Sequence, residues 1–538
     1  MLAWSRDDVA WKVRNDVMLP IKTKEKMLEK IRSKIEHYPK VTAFLAGGCL
    51  SFAFAPYFFW PLLASLGVFA YQVKHAKSIF QAKKIGYLFG FGFYLFNLYW
   101  ISVGVSVYAS EFWWAIPFAL LGLPAFLAIY TTLLALCLYS CRKAKLYLNS
   151  FVLIWIIFEF LRSYLFTGFP WSLIGYSVAF SDIIIQSASL VGTYGLGLIV
   201  LFSFGSICYL LEEKYKKFFI SIVISLSIWS CIFIYGSDRL DKIPTSNTAI
   251  KLRLVQPSIQ QTEKWSIEKF WENFYVHRDL SVEDRESFMP DLILWPESAV
   301  VAPPTITQVL GALRNVVVGT NVILVTGGVT NNLLEEDRKR DKHFASIYAL
   351  KETGGLIFDY HKSHLVPFGE YVPLSDILPV KKLTPGIEPY SPGKTGFIVK
   401  LDDLNLKIRP LLCYEIIFPD EVRMSNKDAD FIMNLTNDAY YGNTSGPYQH
   451  FYMARMRSVE NGMPLVRVAN NGITGIFDPL GRIIVKSNIN DVTYINGYLP
   501  SKINNVTLFS SFGYFIVYIY IGLSFILIYL LHRKKKHH

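Results

Sequence analysis

Three side chains able to do nucleophilic and acid–base chemistry each stand where a short apolar run ends. Glu297 follows the residues LILWP, Lys362 follows YH, and Cys413 follows IRPLL. A thiolate is a strong nucleophile, a carboxylate within hydrogen-bond reach can take the thiol proton, and a fixed ammonium stabilises the thiolate and then an oxyanion. Spacing along the chain does not prove closeness in space, so this chemistry depends on a fold that gathers the three positions.

The composition indicates a membrane protein. Of the 538 residues, 52% are hydrophobic and only 18% are charged, against about 25% charged in average soluble domains. A membrane-crossing helix needs roughly 20 apolar residues. Eight apolar runs approach that length, and the first two are short enough to form one re-entrant hairpin instead: 41–56, 58–73, 85–103, 113–137, 148–166, 185–210, 218–236 and 512–531.

The loops between these runs alternate in charge. Loops 104–112 and 167–184 contain no Lys or Arg. Basic residues instead follow the second, fourth, sixth and eighth runs: Lys74, Lys77, Lys83, Lys84, Arg142, Lys143, Lys145, Lys214, Lys216, Lys217, Arg533, Lys534, Lys535 and Lys536. The positive-inside rule then places both termini in the cytoplasm and requires an even number of crossings. The net charge of +12 is thereby assigned to orientation and lipid contact rather than to nucleic acid.

The polar stretch 237–511 between the seventh and eighth runs has room for a complete α/β domain, and by the charge rule it faces away from the cytoplasm. Segments 266–280 and 447–461 are predicted helices. Five β-branched runs are predicted buried strands: Ile250–Val255, Leu292–Trp295, Val322–Thr326, Ile408–Cys413 and Phe431–Leu435. Alternating strands and helices predict a layered α/β fold, whose strand ends commonly carry active sites.

Cys413 differs from the other cysteines in its predicted location. The remaining five lie in the apolar runs or at their ends: Cys49, Cys137, Cys141, Cys208 and Cys231. An oxidising compartment usually holds paired cysteines, so a lone thiol there is a candidate nucleophile. The alternative is a buried, inert cysteine that packs like a small apolar residue.

Longer strings around these residues are specific. WPES (295–298), HKSHLVPFGEYVP (361–373) and LLCYEIIFPDEVR (411–423) resemble the Glu–Lys–Cys motifs of the nitrilase superfamily. The resemblance to its apolipoprotein N-acyltransferase family extends further, to the string at 434–482 and to two strings in the apolar half, FNLYWISVGV (96–105) and FEFLRSYLFTGFPWSLIGYS (158–177). Tyr440-Tyr441 departs from the Trp-Phe that the family often has there, and we expect altered surface contacts from it.

The resemblance implies a role for each matching residue. Glu297 would be the general base, Lys362 would stabilise the oxyanion, and Cys413 would be the nucleophile. Glu370 would be an accessory glutamate beside this triad. Further matches would be Tyr414 and Glu415, after the nucleophile, and Trp265, an aromatic on a mobile arm over the site.

The resemblance also implies the architecture and the reaction. The expected fold is an αββα sandwich carried by a bundle of about eight transmembrane helices. We expect a cytoplasmic basic extension (1–40), seven helices (41–236), an extracytoplasmic catalytic domain (237–511), and an eighth helix with a basic tail (512–538). The expected enzyme is a monomeric inner-membrane acyltransferase with a periplasmic catalytic domain.

The implied donor is a phospholipid, phosphatidylethanolamine above all, whose sn-1 acyl chain passes through a thioester on Cys413. The implied acceptor is the α-amino group of a diacylglyceryl apolipoprotein. No metal or other cofactor is expected, because neither a zinc-type ligand cluster nor a phosphate loop is apparent in the sequence.

Two other functions fit parts of the pattern. A membrane-tethered amidase would use the same triad with water as acceptor, and a transporter or receptor would use the outer domain for ligand binding. Glu159 and Arg162, three residues apart near the end of the fifth apolar run, either bind a lipid head group or form an ion pair that fixes helix packing.

Overall fold

The computed structural model describes residues 26–331, 342–375, 382, 389–423 and 429–534. From residue 26 to the first strand the described residues are helical almost throughout. Residues 26–37 are helical, with Ile35 buried, Leu28 half-buried and Ile31 exposed. The helices that follow are Pro39–Ser51, Trp60–Ala64, Ser65–Lys74, Ile79–Leu98, Trp100–Ser106, Ala109–Phe112, Trp113–Ala115, Phe118–Gly122, Leu123–Ser140, Tyr147–Tyr164, Leu165–Thr167, Ile174–Val178, Asp182–Ile185, Ala188–Gly205, Ile207–Leu211 and Tyr215–Lys242.

Four helical stretches in the described residues are long and apolar enough to cross a membrane: Ala109–Ser140, Tyr147–Thr167, Ala188–Leu211 and Tyr215–Lys242. A fifth crossing results if Ile79–Leu98 and Trp100–Ser106, which meet at a bend of 53°, form one span. The first two expected spans correspond to the shorter helices Pro39–Ser51 and Ser65–Lys74, of 13 and 10 residues. The last contains the apolar stretch Phe515–Ile528. Eight full-length crossings therefore stay a prediction.

Glycine lets the membrane helices pack at short distance. A Cβ on Gly47 would lie 1.9 Å from the carbonyl oxygen of Phe89, and one on Gly92 would lie 2.3 Å from that of Phe44. Helices Pro39–Ser51 and Ile79–Leu98 are therefore in backbone contact. Small residues commonly allow such close approach in membranes, where burial of apolar surface does not by itself drive helices together.

Twelve strands form two six-stranded sheets. The first sheet has the order β12-β1-β2-β3-β4-β5 and the second β11-β10-β9-β8-β7-β6. In each sheet three strands are parallel, namely β1–β3 and β7–β9. The strands are β1 Asn247–Gln256, β2 Leu292–Leu294, β3 Ile323–Asn331, β4 His343–Leu350, β5 Leu356–His361, β6 Val399–Leu401, β7 Leu406–Leu412, β8 Phe431–Thr436, β9 Leu465–Ala469, β10 Gly475–Phe477, β11 Ile483–Lys486 and β12 Thr493–Pro500.

The sheets pack face to face between helical layers, which confirms the αββα expectation. Leu292 and Leu294 face the core between the sheets, whereas Ile293 packs outward under helix Phe270–Val282. On the far side, helix Ser445–Asn461 packs against the second sheet, and its Phe451 belongs to the same core as the membrane helices. Further helices of this part are Gln261–Lys264, Thr307–Val316, Asp402–Leu404, Cys413–Ile417, Pro419–Arg423, Asp438–Tyr441, Leu508–Phe512 and Phe515–Lys534.

The predicted strands all exist, with shifted ends. The run at 322–326 forms the first half of the nine-residue β3. Cys413, predicted as the last residue of its strand, instead begins the 3-10 turn Cys413–Ile417. Period and branching predict a strand, but the residue at which a strand turns depends on the contacts beyond it.

Candidate active site

Glu297 lies just past the end of β2 and is 7% exposed. The parallel strand β3 beside it carries Gly327, where a Cβ would lie 2.6 Å from the Cα of Glu297. The carboxylate has a separate partner for each oxygen. Oε1 lies 3.2 Å from Nζ of Lys362, and Oε2 accepts a hydrogen bond of 3.0 Å from the backbone N–H of Asn437. The glutamate is thereby fixed in one orientation between the two sheets.

Lys362 directly follows β5 and is 1% exposed. Its backbone N–H continues the β4–β5 ladder to the carbonyl of Ala345. Its ammonium lies between two carboxylates, 3.2 Å from Glu297 and 2.7 Å from Glu370. Burial by itself lowers the pKa of Lys362, but the carboxylates of Glu297 and Glu370 raise it well above its usual value, so this lysine stays charged.

Glu370 is held against Lys362 by its own loop. Its Oε2 accepts a 2.8 Å hydrogen bond from the N–H of Val366. Burial raises the pKa of Glu370, and Lys362 opposes that rise. The accessory place expected for Glu370 beside the triad matches its position here.

Cys413 opens the 3-10 turn with φ of 44°, in the left-handed region that non-glycine residues rarely adopt. It is 7% exposed. Burial and the carboxylates of Glu297 and Asp438 together raise the pKa of its thiol to about 12, although Lys362 and a hydrogen bond with Thr436 act in the opposite direction. At neutral pH the sulfur is therefore a thiol, which needs a base before it can attack.

Glu415 does not face the reacting groups but joins two of their loops. Its Oε2 accepts from the N–H of Leu412 at 2.6 Å, just before the nucleophile. Its Oε1 accepts from the N–H and the hydroxyl of Ser363, both at 2.7 Å, just after Lys362. Tyr360 at the end of β5 donates its hydroxyl to the same carboxylate. The expected importance of Glu415 thus has a physical basis in the separation it fixes between the thiol and the ammonium.

Two family models match this chain. The carbon-nitrogen hydrolase model matches residues 251–495, and the apolipoprotein N-acyltransferase N-terminal domain model matches residues 46–206. An apolipoprotein N-acyltransferase of Rickettsia prowazekii is 46% identical over 493 residues, covering 91% of this chain and 98% of its own. The chain belongs to the apolipoprotein N-acyltransferase family.

Other relatives of the family agree in name and extent. An apolipoprotein N-acyltransferase of Rickettsia bellii is 47% identical over 92% of this chain and 98% of its own, and one of Brucella melitensis is 34% identical over 79% and 81%. Among solved structures, Saccharomyces cerevisiae Nit3, of the nitrilase superfamily, matches with a TM-score of 0.36 and 21% identity, covering 46% of this chain and 89% of its own. Membership confirms the sequence resemblance, and this chain is an acyltransferase.

Tyr414 connects the catalytic fold of this chain to the membrane helices. Its hydroxyl donates to the carbonyl of Gly168 at 3.1 Å, in the loop after helix Tyr147–Tyr164. Its ring contacts His364 and Phe418 edge-on. Tyr414 therefore packs in the core and attaches the catalytic fold to the membrane helices, rather than contacting the reacting atoms.

Trp265, the expected arm residue, is half-buried and follows the short helix Gln261–Lys264. Lys264, next to it, is a site residue that the sequence did not single out. Its Nζ donates to the main-chain carbonyl of Glu297 at 2.8 Å. Burial lowers the pKa of Lys264 to about 7, against the opposing charge of Glu297. Gln261 at the other end of the helix accepts from Asn437 Nδ2 at 2.7 Å, so this helix contacts both the main chain of Glu297 and the side chain of Asn437.

The second group that the sequence missed is close to Cys413, in the string at 434–482. His450, Asp438 and Arg467 are all fully buried there. Among the described residues, Cys413, Asp438 and His450 are the one set of three potential metal ligands, within 4.8 Å of one another. Arg467 already binds the Asp438 carboxylate at 2.7 Å, and both ring nitrogens of His450 have protein partners. These contacts indicate that the three side chains form a hydrogen-bond network rather than a metal-binding site.

Glu159 and Arg162 are both buried and hold one loop. Oε1 of Glu159 accepts from the N–H of Ile174 at 2.9 Å. Arg162 donates to the carbonyls of Phe169 and Trp171. These contacts give both residues a structural role in shaping residues 165–174, through hydrogen bonds to the main chain in place of the ion pair that the sequence suggested.

Proposed function

We propose that this acyltransferase transfers an acyl chain from a phospholipid through a thioester on Cys413. The observation that carries this proposal is the position of Lys362, which is held between Glu297 and Glu370 while the protonated thiol of Cys413 interacts with the same charges. A base, a fixed cation and a nucleophile are the parts that acyl transfer requires.

In the first half-reaction, Glu297 takes the thiol proton as sulfur attacks the ester carbonyl. Lys362 stabilises the oxyanion. The ester C–O bond then breaks, Glu297 returns the proton to the leaving alkoxide, and a lysophospholipid departs. The carboxylates of Glu297 and Glu370 are kept apart by their main-chain partners. The N–H of Asn437 orients Glu297, and the N–H of Val366 orients Glu370.

In the second half-reaction, an amine attacks the thioester. Glu297 takes a proton from the attacking nitrogen, the C–S bond breaks, and Cys413 leaves as a thiolate that is reprotonated by Glu297. Water must be kept out, or the thioester would hydrolyse. The low exposure of all three residues serves this need.

The substrates of the reaction are a lipid acyl donor and a lipoprotein acceptor. We propose phosphatidylethanolamine as the donor, through its sn-1 chain, and the α-amino group of a diacylglyceryl cysteine as the acceptor. Acyl chains do not leave lipid cheaply, at about 0.8 kcal/mol for each CH₂. Attachment of the catalytic fold to apolar helices supports a site at the bilayer surface. We also propose that the protein acts as a monomer.

The protein is associated with a membrane. We further propose that it lies in the bacterial inner membrane, with both termini cytoplasmic and the catalytic domain periplasmic, as the alternating basic loops indicate. The proposed boundaries are 1–40 for the extension, 41–236 for seven helices, 237–511 for the catalytic domain and 512–538 for the last helix and tail.

Replacement of the nucleophile tests the proposal. We expect Cys413→Ala to abolish the covalent adduct formed with a defined phospholipid and N-acylation of a lipoprotein peptide, both measured by mass spectrometry. Cys208→Ala is the matched control, because Cys208 is also buried but lies among the membrane helices. N-acylation that persists in purified Cys413→Ala protein would exclude this mechanism.

The same assay separates acyl transfer from the amidase alternative. With phospholipid and no amine acceptor, an acyltransferase accumulates the thioester, whereas a hydrolase releases free fatty acid at the full rate. Steady release of fatty acid or ammonia, unaffected by acceptor peptide, would favour hydrolysis.

A further inference from the structure

The carbonyl group of Cys413 has two side-chain partners that lie outside the proposed triad. Nε2 of His450 lies 3.2 Å from this oxygen, and Nδ2 of Asn434 lies 3.5 Å from it. His450 is 0% exposed and lies one turn into helix Ser445–Asn461. The contact is therefore between the helix that covers the second sheet and the main chain of the proposed nucleophile.

The imidazole ring has one proton for three contacts, because Nδ1 lies 3.0 Å from Oδ1 of Asp438 as well as beside Arg467. Burial and the neighbouring guanidinium of Arg467 lower the pKa of His450, so the ring is neutral at pH 7. Oδ1 of Asp438 already accepts from the hydroxyl of Thr436, and we assign the proton to Nε2, where it is donated to the carbonyl oxygen of Cys413. Nδ1 then accepts from Nη2 of Arg467 at 3.1 Å.

Arg467 and Asp438 fix the ring in this orientation. Nη2 of Arg467 also donates to Oδ2 of Asp438 at 2.7 Å, and the hydroxyl of Thr436 donates to Oδ1 at 3.0 Å. Arg467 further donates to the side-chain oxygen of Asn434, whose amide faces the same Cys413 carbonyl. The residues of this network lie on β8, on β9 and in the turn after β8.

The membrane helices bind Gln449, the residue before His450 on helix Ser445–Asn461. Gln449 accepts hydrogen bonds from the indole N–H groups of Trp171 at 2.7 Å and Trp100 at 3.2 Å, and donates to the carbonyl of Asn97 at 3.3 Å. Trp100 and Asn97 lie on either side of the bend between the two apolar helices. The position of His450 along its helix axis is thus determined from the membrane side.

We propose that His450 is a positioning residue for acyl transfer, which holds the carbonyl of Cys413 and so keeps the nucleophile in its left-handed turn. The inference rests on the proposed role of Cys413 as nucleophile. A non-glycine residue stays in this backbone region only when surrounding contacts over-determine it. Without the donor, φ of Cys413 can relax, and its Cα–Cβ bond then points the sulfur away from Glu297 and Lys362.

Two substitutions separate positioning from general packing. His450→Ala removes both the ring and its N–H, whereas His450→Gln keeps an amide N–H near the place of Nε2. We expect His450→Ala to slow acyl-enzyme formation from a defined phospholipid at least 100-fold, with little change in donor KM. We expect His450→Gln to recover the rate to within about tenfold of wild type.

His277→Ala is the matched control. His277 is 1% exposed in the same domain, but its Nδ1 contacts only the carbonyl of Asn273 on its own helix. We expect it to lower Tm about as much as His450→Ala while acyl-enzyme formation stays within threefold of wild type. The full-length protein in detergent is used, with the adduct on Cys413 followed by mass spectrometry.

Either of two results would overturn the inference. One is equal loss of rate in the Ala variants of His277 and His450, and the other is a Gln variant of His450 no faster than its Ala variant. Cys413→Ala is measured in parallel. If that variant still forms acylated product, the proposed mechanism itself fails, whereas an inactive Cys413→Ala protein with a normal His450→Ala rate refutes the positioning role alone.

Discussion

The charges around Cys413 favour a resting thiol over a preformed thiolate. Burial, Glu297 and Asp438 all raise the pKa of this thiol, to about 12, and Lys362 only partly opposes them. A thiol with a high pKa is more nucleophilic once deprotonated but needs a base at the moment of attack. The position of Glu297, bound to Lys362 and to Asn437, supports the proposal that Glu297 is this base, with no permanent charge on sulfur.

Lys264 is the second buried cation of the site, and its protonation couples to stability. Burial lowers the pKa of Lys264 to about 7 in the folded state, whereas an unfolded lysine titrates near 10.4. Between these values the unfolded state binds more protons, so folding stability rises with pH. This contribution is absent when position 264 cannot ionise.

We therefore expect wild type to gain stability relative to Lys264→Met between pH 7 and 9, by on the order of 2 kcal/mol. The measurement is Tm of the detergent-purified protein across this range. Lys269→Met is the control, because Lys269 is exposed and pairs with Glu272. A constant difference in Tm between wild type and Lys264→Met at all pH values would contradict the prediction.

At the scale of elements, the site is formed by loops that follow strands of both sheets. Parallel strands deliver their carboxyl ends to one edge, which accounts for Glu297 after β2 and Cys413 after β7. Lys362 comes from β5 in the first sheet, and Glu415 binds its loop to the turn that holds Cys413. Glu415 thus joins the loop after β5 of the first sheet to the turn after β7 of the second.

Glu415→Gln tests this connection. An amide offers one acceptor oxygen in place of two, so the N–H groups of Leu412 and Ser363 cannot both keep their partner. We expect acyl-enzyme formation to fall at least tenfold and Tm to fall by several degrees. Glu421→Gln is the control, because Glu421 binds His364 in the same loop from a half-exposed position. A Glu415→Gln rate equal to that of Glu421→Gln would exclude the connecting role.

At the scale of the whole molecule, the catalytic fold and the membrane helices share a core. Phe451 of helix Ser445–Asn461 packs in the same buried cluster as Trp155 and Trp171. Tyr414 bonds to Gly168, and the buried Glu460 accepts from both the N–H and the hydroxyl of Thr193. The helices therefore position the site as well as anchor it.

Replacement of Arg162 tests this contact between the catalytic fold and the membrane helices. It shapes the loop that brings Gly168 and Trp171 to the catalytic fold. We expect Arg162→Ala to lower Tm by several degrees and the maximal rate severalfold, with the phospholipid KM unchanged. Arg142→Ala is the control, since Arg142 donates to the carbonyl of Tyr139 at its own helix end. A large rise in donor KM would restore head-group binding as the role of Arg162.

The sequence by itself predicted the local chemistry and the class of several elements. Five β-branched runs predicted strands, apolar runs predicted membrane helices, and the strings around Glu297, Lys362 and Cys413 predicted the family. It did not single out Lys264 or His450, because a buried lysine and a histidine inside a helix look like ordinary surface and core residues until their neighbours are known.

The tertiary structure decided which of these residues meet. Glu415 proved to be a connection between loops and Tyr414 a contact to the membrane half, roles that depend on partners 52 and 246 positions away. The left-handed turn at Cys413 is likewise invisible in a strand-like run. Burial, backbone strain and shifted pKa values arise from surroundings assembled by folding, whereas propensity and motif are carried by adjacent residues.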